Sequence, residues 1–182
     1  MTEKIVRRSW CGCRNIVRLL WPWFLLARFT SPIPPGLWLV NVFMQCILRI
    51  NGNVSWMVHF TSYASGNIQI GKDVWRSFAL SGGCYIQGRN GICIGDGTIF
   101  APGVKIISAN HDQNNLSSWK AAPPIRIGRR CWIGSNAAIL PGVQLGDDVI
   151  VGAGAVVTKS FPNGSVIGGV PAKLISTQPS KD

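Results

Sequence analysis

Only two side chains in this sequence of 182 residues can work as a histidine base, His59 and His111. An imidazole titrates near pH ~6.5, so its neutral form can take a proton from a hydroxyl at physiological pH. His59 lies in Val58-His-Phe60, among aromatic residues, and reads as structural. His111 stands between Asn110 and Asp112, at the opening of a polar, Asn-rich stretch that ends in Pro123-Pro124. It is the candidate general base. No Ser–His–Asp set and no reactive-cysteine context is visible. The six cysteines fall at 11, 13, 46, 84, 93 and 131. Cys11-Gly-Cys13 has no second pair at zinc-ligand spacing, and the set does not read as a disulfide framework. Reduced thiols in a cytoplasmic protein are expected.

The residues that must position His111 follow a period of six. Ile127, Ile133, Ile139, Leu145, Val151 and Val157 are all branched aliphatics. Four residues further on, Cys131, Ala137, Val143, Val149, Ala155 and Phe161 form a second apolar row. Glycine follows the aliphatic at 128, 134, 146 and 152. Six fits neither a lone helix nor a lone strand; it marks a solenoid wound with a fixed rise. One position per hexad points inward and stacks on its equivalent, and a turn follows it. A looser form begins at Asn67, with rows Ile68, Val74, Leu80, Ile86, Ile92, Thr98, Val104 and Ile70, Arg76, Gly82, Gly88, Ile94, Phe100, Ile106. The phase breaks between Ile106 and Ile127, so residues 107–124 must leave the coil as a loop that begins around His111. A long excursion from a regular scaffold is usually functional. After Val157 the pattern stops.

Composition bounds the rest. The formal net charge of +11 calls for a polyanionic partner, but no nucleic-acid motif is present. Hydrophobic residues make up 47% and charged residues 14%, which excludes a disordered chain. Residues 1–57 differ from the repeats: Lys4, Arg7, Arg8, Arg14, Arg18 and Arg28 alternate with Trp10, Trp21, Trp23 and Phe24. The apolar runs there fall short of the ~20 residues a membrane span needs. Two readings stand for this segment: helices that cap the base of the solenoid, or a membrane-surface contact with anionic lipid. The expected organisation is therefore 1–57 as an N-terminal segment, 58–175 as the repeat domain, and 176–182 as a polar tail.

Four stretches carry a family resemblance: Ile106-Ile-Ser-Ala-Asn-His-Asp112, Cys131-Trp-Ile-Gly-Ser-Asn136, Gly152-Ala-Gly-Ala-Val-Val-Thr-Lys159 and Gly169-Val-Pro-Ala-Lys173. Over roughly residues 58–175 the chain resembles the hexapeptide-repeat acyltransferases, of the maltose, galactoside and colanic-acid O-acetyltransferase type. The resemblance implies an all-β solenoid, a left-handed parallel β-helix with three hexads per triangular turn, here with a short helical N-terminal segment. It implies a homotrimer with acetyl-CoA in the groove between two solenoids and one histidine as base; His111 stands where that histidine stands. Ser135, Ala153, Thr158 and Lys159 match positions lining the pantetheine and nucleotide end, and Lys173 a basic position near the phosphates. Related β-helix carbonic anhydrases need three zinc-binding histidines. Two per chain do not fit, so no metal is expected.

The acceptor side departs from the maltose and galactoside pattern. Counting from His111 puts Ser81 and Arg89 near where those enzymes hold Asn and Asp for the sugar. Arg89 would suit an acidic or phosphorylated glycan. Asn110 and Asp112 complete the acceptor-side candidates, with Asp112 either orienting the ring or touching acceptor. The expected activity is acetyl-CoA-dependent O-acetylation of a cell-surface glycan or its precursor, in the cytoplasm or at the inner membrane face. The alternatives are N-acetylation of an amino-sugar nucleotide and a non-catalytic scaffold.

Overall fold

A computed structural model describes residues 32–113 and 115–178. The strands are β1 (Tyr63–Ile70), β2 (Tyr85–Ile94), β3 (Ile99–Phe100), β4 (Lys105–Ile107), β5 (Ile125–Ile127), β6 (Trp132–Ile133), β7 (Ala138–Ile139), β8 (Gln144–Leu145), β9 (Ile150–Val151), β10 (Val156–Val157), β11 (Ser165–Gly168) and β12 (Lys173–Thr177). Two helices are present, α1 (Pro35–Val42), continued by a π-helical turn at Phe43–Ile47, and α2 (Trp75–Leu80).

The registers resolve into three parallel ladders. In the first, Ala64 pairs with Ile86, Ile86 with Ile106, Ile106 with Ile139 and Ile139 with Val157. In the second, Ile70 pairs with Ile94, Ile94 with Ile127 and Ile127 with Leu145. In the third, Phe100 pairs with Ile133, Ile133 with Val151 and Val151 with Ile167. From β3 to β11 consecutive strands belong to different ladders, while the parallel partners lie one coil apart. The chain therefore winds around three faces. Both apolar rows expected over 127–161 are buried, because a row in phase with the coil stacks on itself. Strand alternation sends the neighbours outward, as at exposed Arg126 and Gln144. Close stacking explains one glycine directly: a Cβ on Gly128 would collide with the carbonyl of Gly146, one coil on.

Asp and Asn hold the corner after the second ladder. The Oδ1 atoms of Asp96, Asp147 and Asn163 accept the backbone N–H of Lys72 at 2.6 Å, Arg129 at 2.7 Å and Asp147 at 2.9 Å. Each turn residue thus satisfies a donor in the neighbouring coil. Arg129 also forks onto Asp147, at 3.0 Å from Nε and 2.7 Å from Nη2, and holds that carboxyl below the ordinary range. Cys84 and Cys131 are buried free thiols whose pKa values burial pushes up, so both are inert core residues.

The ends depart from the expected pattern. Leu80, expected inside, is 40% exposed, because 75–80 is helical. Helix α2 replaces a strand of the third ladder and turns Ser77, Phe78 and Ala79 inward. Phe78 then covers Phe100 edge-to-face, with ring centroids 4.9 Å apart. At the other end the coil does not stop at Val157. Phe161 bridges to Leu145 and Ile167 pairs with Val151. These steps span 16 residues rather than 18, which takes them out of the six-residue phase. Strand β12 closes the coil antiparallel to β11 and runs to Thr177, past the expected start of the tail at Ser176.

Of the N-terminal segment, residues 1–31 lie outside the described residues. Helix α1 is pinned to the first coil by buried Asn41, whose Nδ2 donates to the Ala79 carbonyl at 3.0 Å and whose Oδ1 accepts the Phe60 N–H at 3.0 Å. Gln45 adds bonds to the Trp56 carbonyl and the Val58 N–H. These bonds hold one helix of the segment against the first coil. No described helix is long and apolar enough to cross a membrane.

Candidate active site

Loop 107–124 leaves the coil between the first and second ladders. In the coil below, Ile86 is followed by Ile92 on the next face; in this one, Ile106 is followed only by Ile125. Both ends of the excursion are tied to β2. Gln87, buried, accepts the Ala109 N–H at 3.0 Å through Oε1. The Asn90 N–H donates to Ser108 Oγ at 2.9 Å, and Asn90 Nδ2 donates to the carbonyls of Ser108 at 2.9 Å and Lys120 at 3.1 Å. Within the loop, Lys120 N–H donates to the Asn110 carbonyl and Asp112 N–H to the Ser118 carbonyl. An antiparallel bridge pairs His111 with Trp119.

These bonds fix the histidine. Its ring lies on Trp119 with centroids 3.9 Å apart, tilted by 33°. Its Nδ1 is 2.7 Å from the Leu116 carbonyl oxygen. A carbonyl can only accept, so Nδ1 carries the proton and Nε2 of the neutral ring keeps its lone pair. Arg89 joins this small cluster, with its guanidinium carbon 4.4 Å from the Trp119 ring centroid. His111, Asn110 and Arg89 are exposed, with Asp112 half-buried beside them.

The remaining candidates divide. Ser81 is 5% exposed and its hydroxyl donates to the Phe100 carbonyl at 2.7 Å. Its hydroxyl is thus committed to the neighbouring coil. Ser135 and Ala153 sit one coil apart in the turn after the third ladder, where Gly154 N–H donates to the Ser135 carbonyl at 2.8 Å. Thr158 and exposed Lys159 follow β10, at the corner that carries the His111 loop. Lys159 Nζ lies 5.6 Å from the Phe161 ring. Lys173 opens β12 and is exposed. His59 stacks on Phe60, its Nδ1 is 2.9 Å from Thr61 Oγ1, and burial lowers its pKa. Among the described residues no group of three His, Cys, Asp or Glu could hold a metal ion.

The sequence reading missed Gln87, Asn90, Ser108 and Trp119. A lone Trp in a polar loop was the available signal for the last. The first three could not be found, because their partners lie a coil away. Two shallow depressions of about 540 and 440 Å³ sit on the second face, both lined by Arg126 and Leu145, and neither includes His111.

Comparison with known proteins places this geometry. Residues 124–159 match a family model described as the hexapeptide repeat of succinyl-transferase. Galactoside O-acetyltransferase of Escherichia coli is 36% identical over 130 residues, 68% of this chain and 61% of that protein; the chain thus spans less than two thirds of this relative. A hexapeptide-repeat acetyltransferase of Vibrio cholerae, solved with acetyl coenzyme A, shares the fold with a TM-score of 0.55 at 24% identity, over 65% of this chain and 64% of that one. A putative lipopolysaccharide-biosynthesis O-acetyltransferase of Escherichia coli is 31% identical over 156 residues, 71% of this chain and 74% of its own length. With a three-faced coil built on a six-residue period, and a relative this similar over most of both chains, the protein belongs to the hexapeptide-repeat acetyltransferase family.

Proposed function

We propose that the protein is an acetyl-CoA-dependent O-acetyltransferase that acts on a hydroxyl of a cell-surface glycan or its precursor, with His111 as general base. The observation that carries this reading is the Nδ1 bond from His111 to the Leu116 carbonyl, which leaves Nε2 free to accept a proton. In the proposed step Nε2 removes the acceptor hydroxyl proton as the oxygen attacks the thioester carbonyl. A backbone N–H supports the oxyanion of the tetrahedral intermediate. Collapse expels the CoA thiolate, which takes the proton back from the imidazolium. The products are the acetyl ester and CoA thiol. O-transfer to a glycan is supported by the galactoside and lipopolysaccharide names of the relatives.

The coil is taken as left-handed, as in this family, and the active unit as a homotrimer. The split of the candidates over two corners supports a groove between copies. Ser135 and Ala153 lie on one corner, His111, Thr158 and Lys159 on another. Exposed Ala153 leaves room for a pantetheine arm, and Lys159 and Lys173 supply cations for the nucleotide phosphates. A donor of this kind puts the reaction in the cytoplasm. The assay is free-thiol release from acetyl-CoA across a panel of sugars and oligosaccharides, with light scattering on the same sample. Acceptor-dependent release by a trimer is expected. An active monomer would overturn the cofactor placement, and acetyl-CoA binding without transfer to any hydroxyl would overturn the O-acetyl reading.

Contact with the inner membrane face belongs to the same proposal. Leu39, Phe43, Ile47 and Leu48 stand exposed on α1 and the turns after it, and the sequence before them is basic. Full-length protein should sediment with anionic vesicles at low salt. Sedimentation should fall at high salt and in Phe43→Ser or Ile47→Ser. Equal sedimentation with neutral vesicles, or none at all, would leave α1 as a cap only.

A further inference from the structure

The side chain beside the histidine on the same indole points to the charge of the acceptor. We infer that the acceptor is anionic, and that Arg89 binds its carboxylate or phosphate while His111 deprotonates a hydroxyl on the same or the adjoining sugar. This rests on the acetyltransferase reading above and specifies its substrate class.

Three observations carry it. First, Arg89 and His111 both touch Trp119, at 4.4 and 3.9 Å from ring centroids, so one rigid side chain fixes their relation. Second, the Arg89 guanidinium carbon lies 4.4 Å from the indole centroid, and a guanidinium held against a ring keeps N–H donors for a ligand. Such donors match two oxygens of a carboxylate or phosphate. Third, Arg89 is exposed, and no carboxylate among the described residues pairs with it. The other arginines of the repeat region with ion pairs, Arg76, Arg129 and Arg130, are neutralised by Asp73, Asp147 and Asp148. Arg89 is thus an uncompensated cation at the mouth of the histidine loop. Asn90, next in sequence, is committed to Ser108 and Lys120, so the backbone that carries Arg89 is tied to the loop that carries His111. A neutral sugar would leave this charge unused.

The test compares methyl glucuronide, glucose phosphate and methyl glucoside as acceptor probes, in wild type, Arg89→Gln and Arg89→Lys. Thiol release gives kcat/KM, and titration calorimetry in the presence of CoA gives binding. Wild type should prefer one charged probe over the neutral one by about 10- to 100-fold. Arg89→Gln should collapse that ratio towards one, and Arg89→Lys should restore part of it. Whichever charged probe shows the effect separates carboxylate from phosphate. A ratio unchanged in Arg89→Gln, with both acceptors weakened alike, would mean that Arg89 only holds Trp119 in place and would overturn the inference. A wild type that binds the probes but transfers no acetyl group overturns the enzyme reading instead; the calorimetric ratio then still decides for or against Arg89.

Discussion

Replacing His111 with alanine is expected to lower kcat on the order of 10²- to 10⁴-fold, the range for loss of a positioned general base. The affinity for acetyl-CoA should be nearly unchanged, because in the proposed arrangement the imidazole serves the acceptor and not the phosphates. Thermal stability should move little, since the side chain is exposed and its bond to Leu116 is local to the loop. Near-normal turnover of His111→Ala at saturating acceptor would remove the general-base mechanism. An amine acceptor would then explain the family fold better, because a free amine needs less help in losing its proton.

The largest effect on stability is expected at Ile139→Ala. Ile139 is fully buried, with Ile106 below it and Val157 above it in the first ladder. Truncation removes contacts to both neighbouring coils, and the rigid stack cannot collapse into the space. A loss of about 2–5 kcal/mol follows for such a site, against about 0.5–1.5 for Ile139→Val. Outward Gln144, on the next strand along the chain, should tolerate alanine within about 0.5 kcal/mol. Urea unfolding at fixed protein concentration reads all three, and fixing the concentration matters if the coil trimerises. If Ile139→Ala and Gln144→Ala cost the same, the inward and outward assignment of the coil is wrong.

The two predictions draw on different kinds of information. Ile139 could be named from the sequence, because stacking forces every coil to repeat its inward residue at the same interval. Wherever the interval was kept, from Ile127 to Val157, burial follows the period. His111 could be named for a related reason: it opens the one stretch where the period is broken by a long polar insertion.

Tertiary structure decided what the interval could not carry. Coils of 22 and 20 residues at the start, read from Ala64 to Ile86 to Ile106, and of 16 at the end shift the phase without ending the winding. Leu80 kept the six-residue spacing but lies on a helix, so its direction is set by another period. Ser81 was placed by its position along the chain; that its hydroxyl bonds to the Phe100 carbonyl depends on how the coils stack. The tautomer of His111 depends on the carbonyl of Leu116, five residues on, and the setting of its loop on Gln87 and Asn90, about twenty residues back. Spacing fixes which residues repeat and where repetition fails. Which atoms then meet depends on how neighbouring coils stack and how the inserted loop folds back on itself, and hydrogen bonds across that distance leave no period to read.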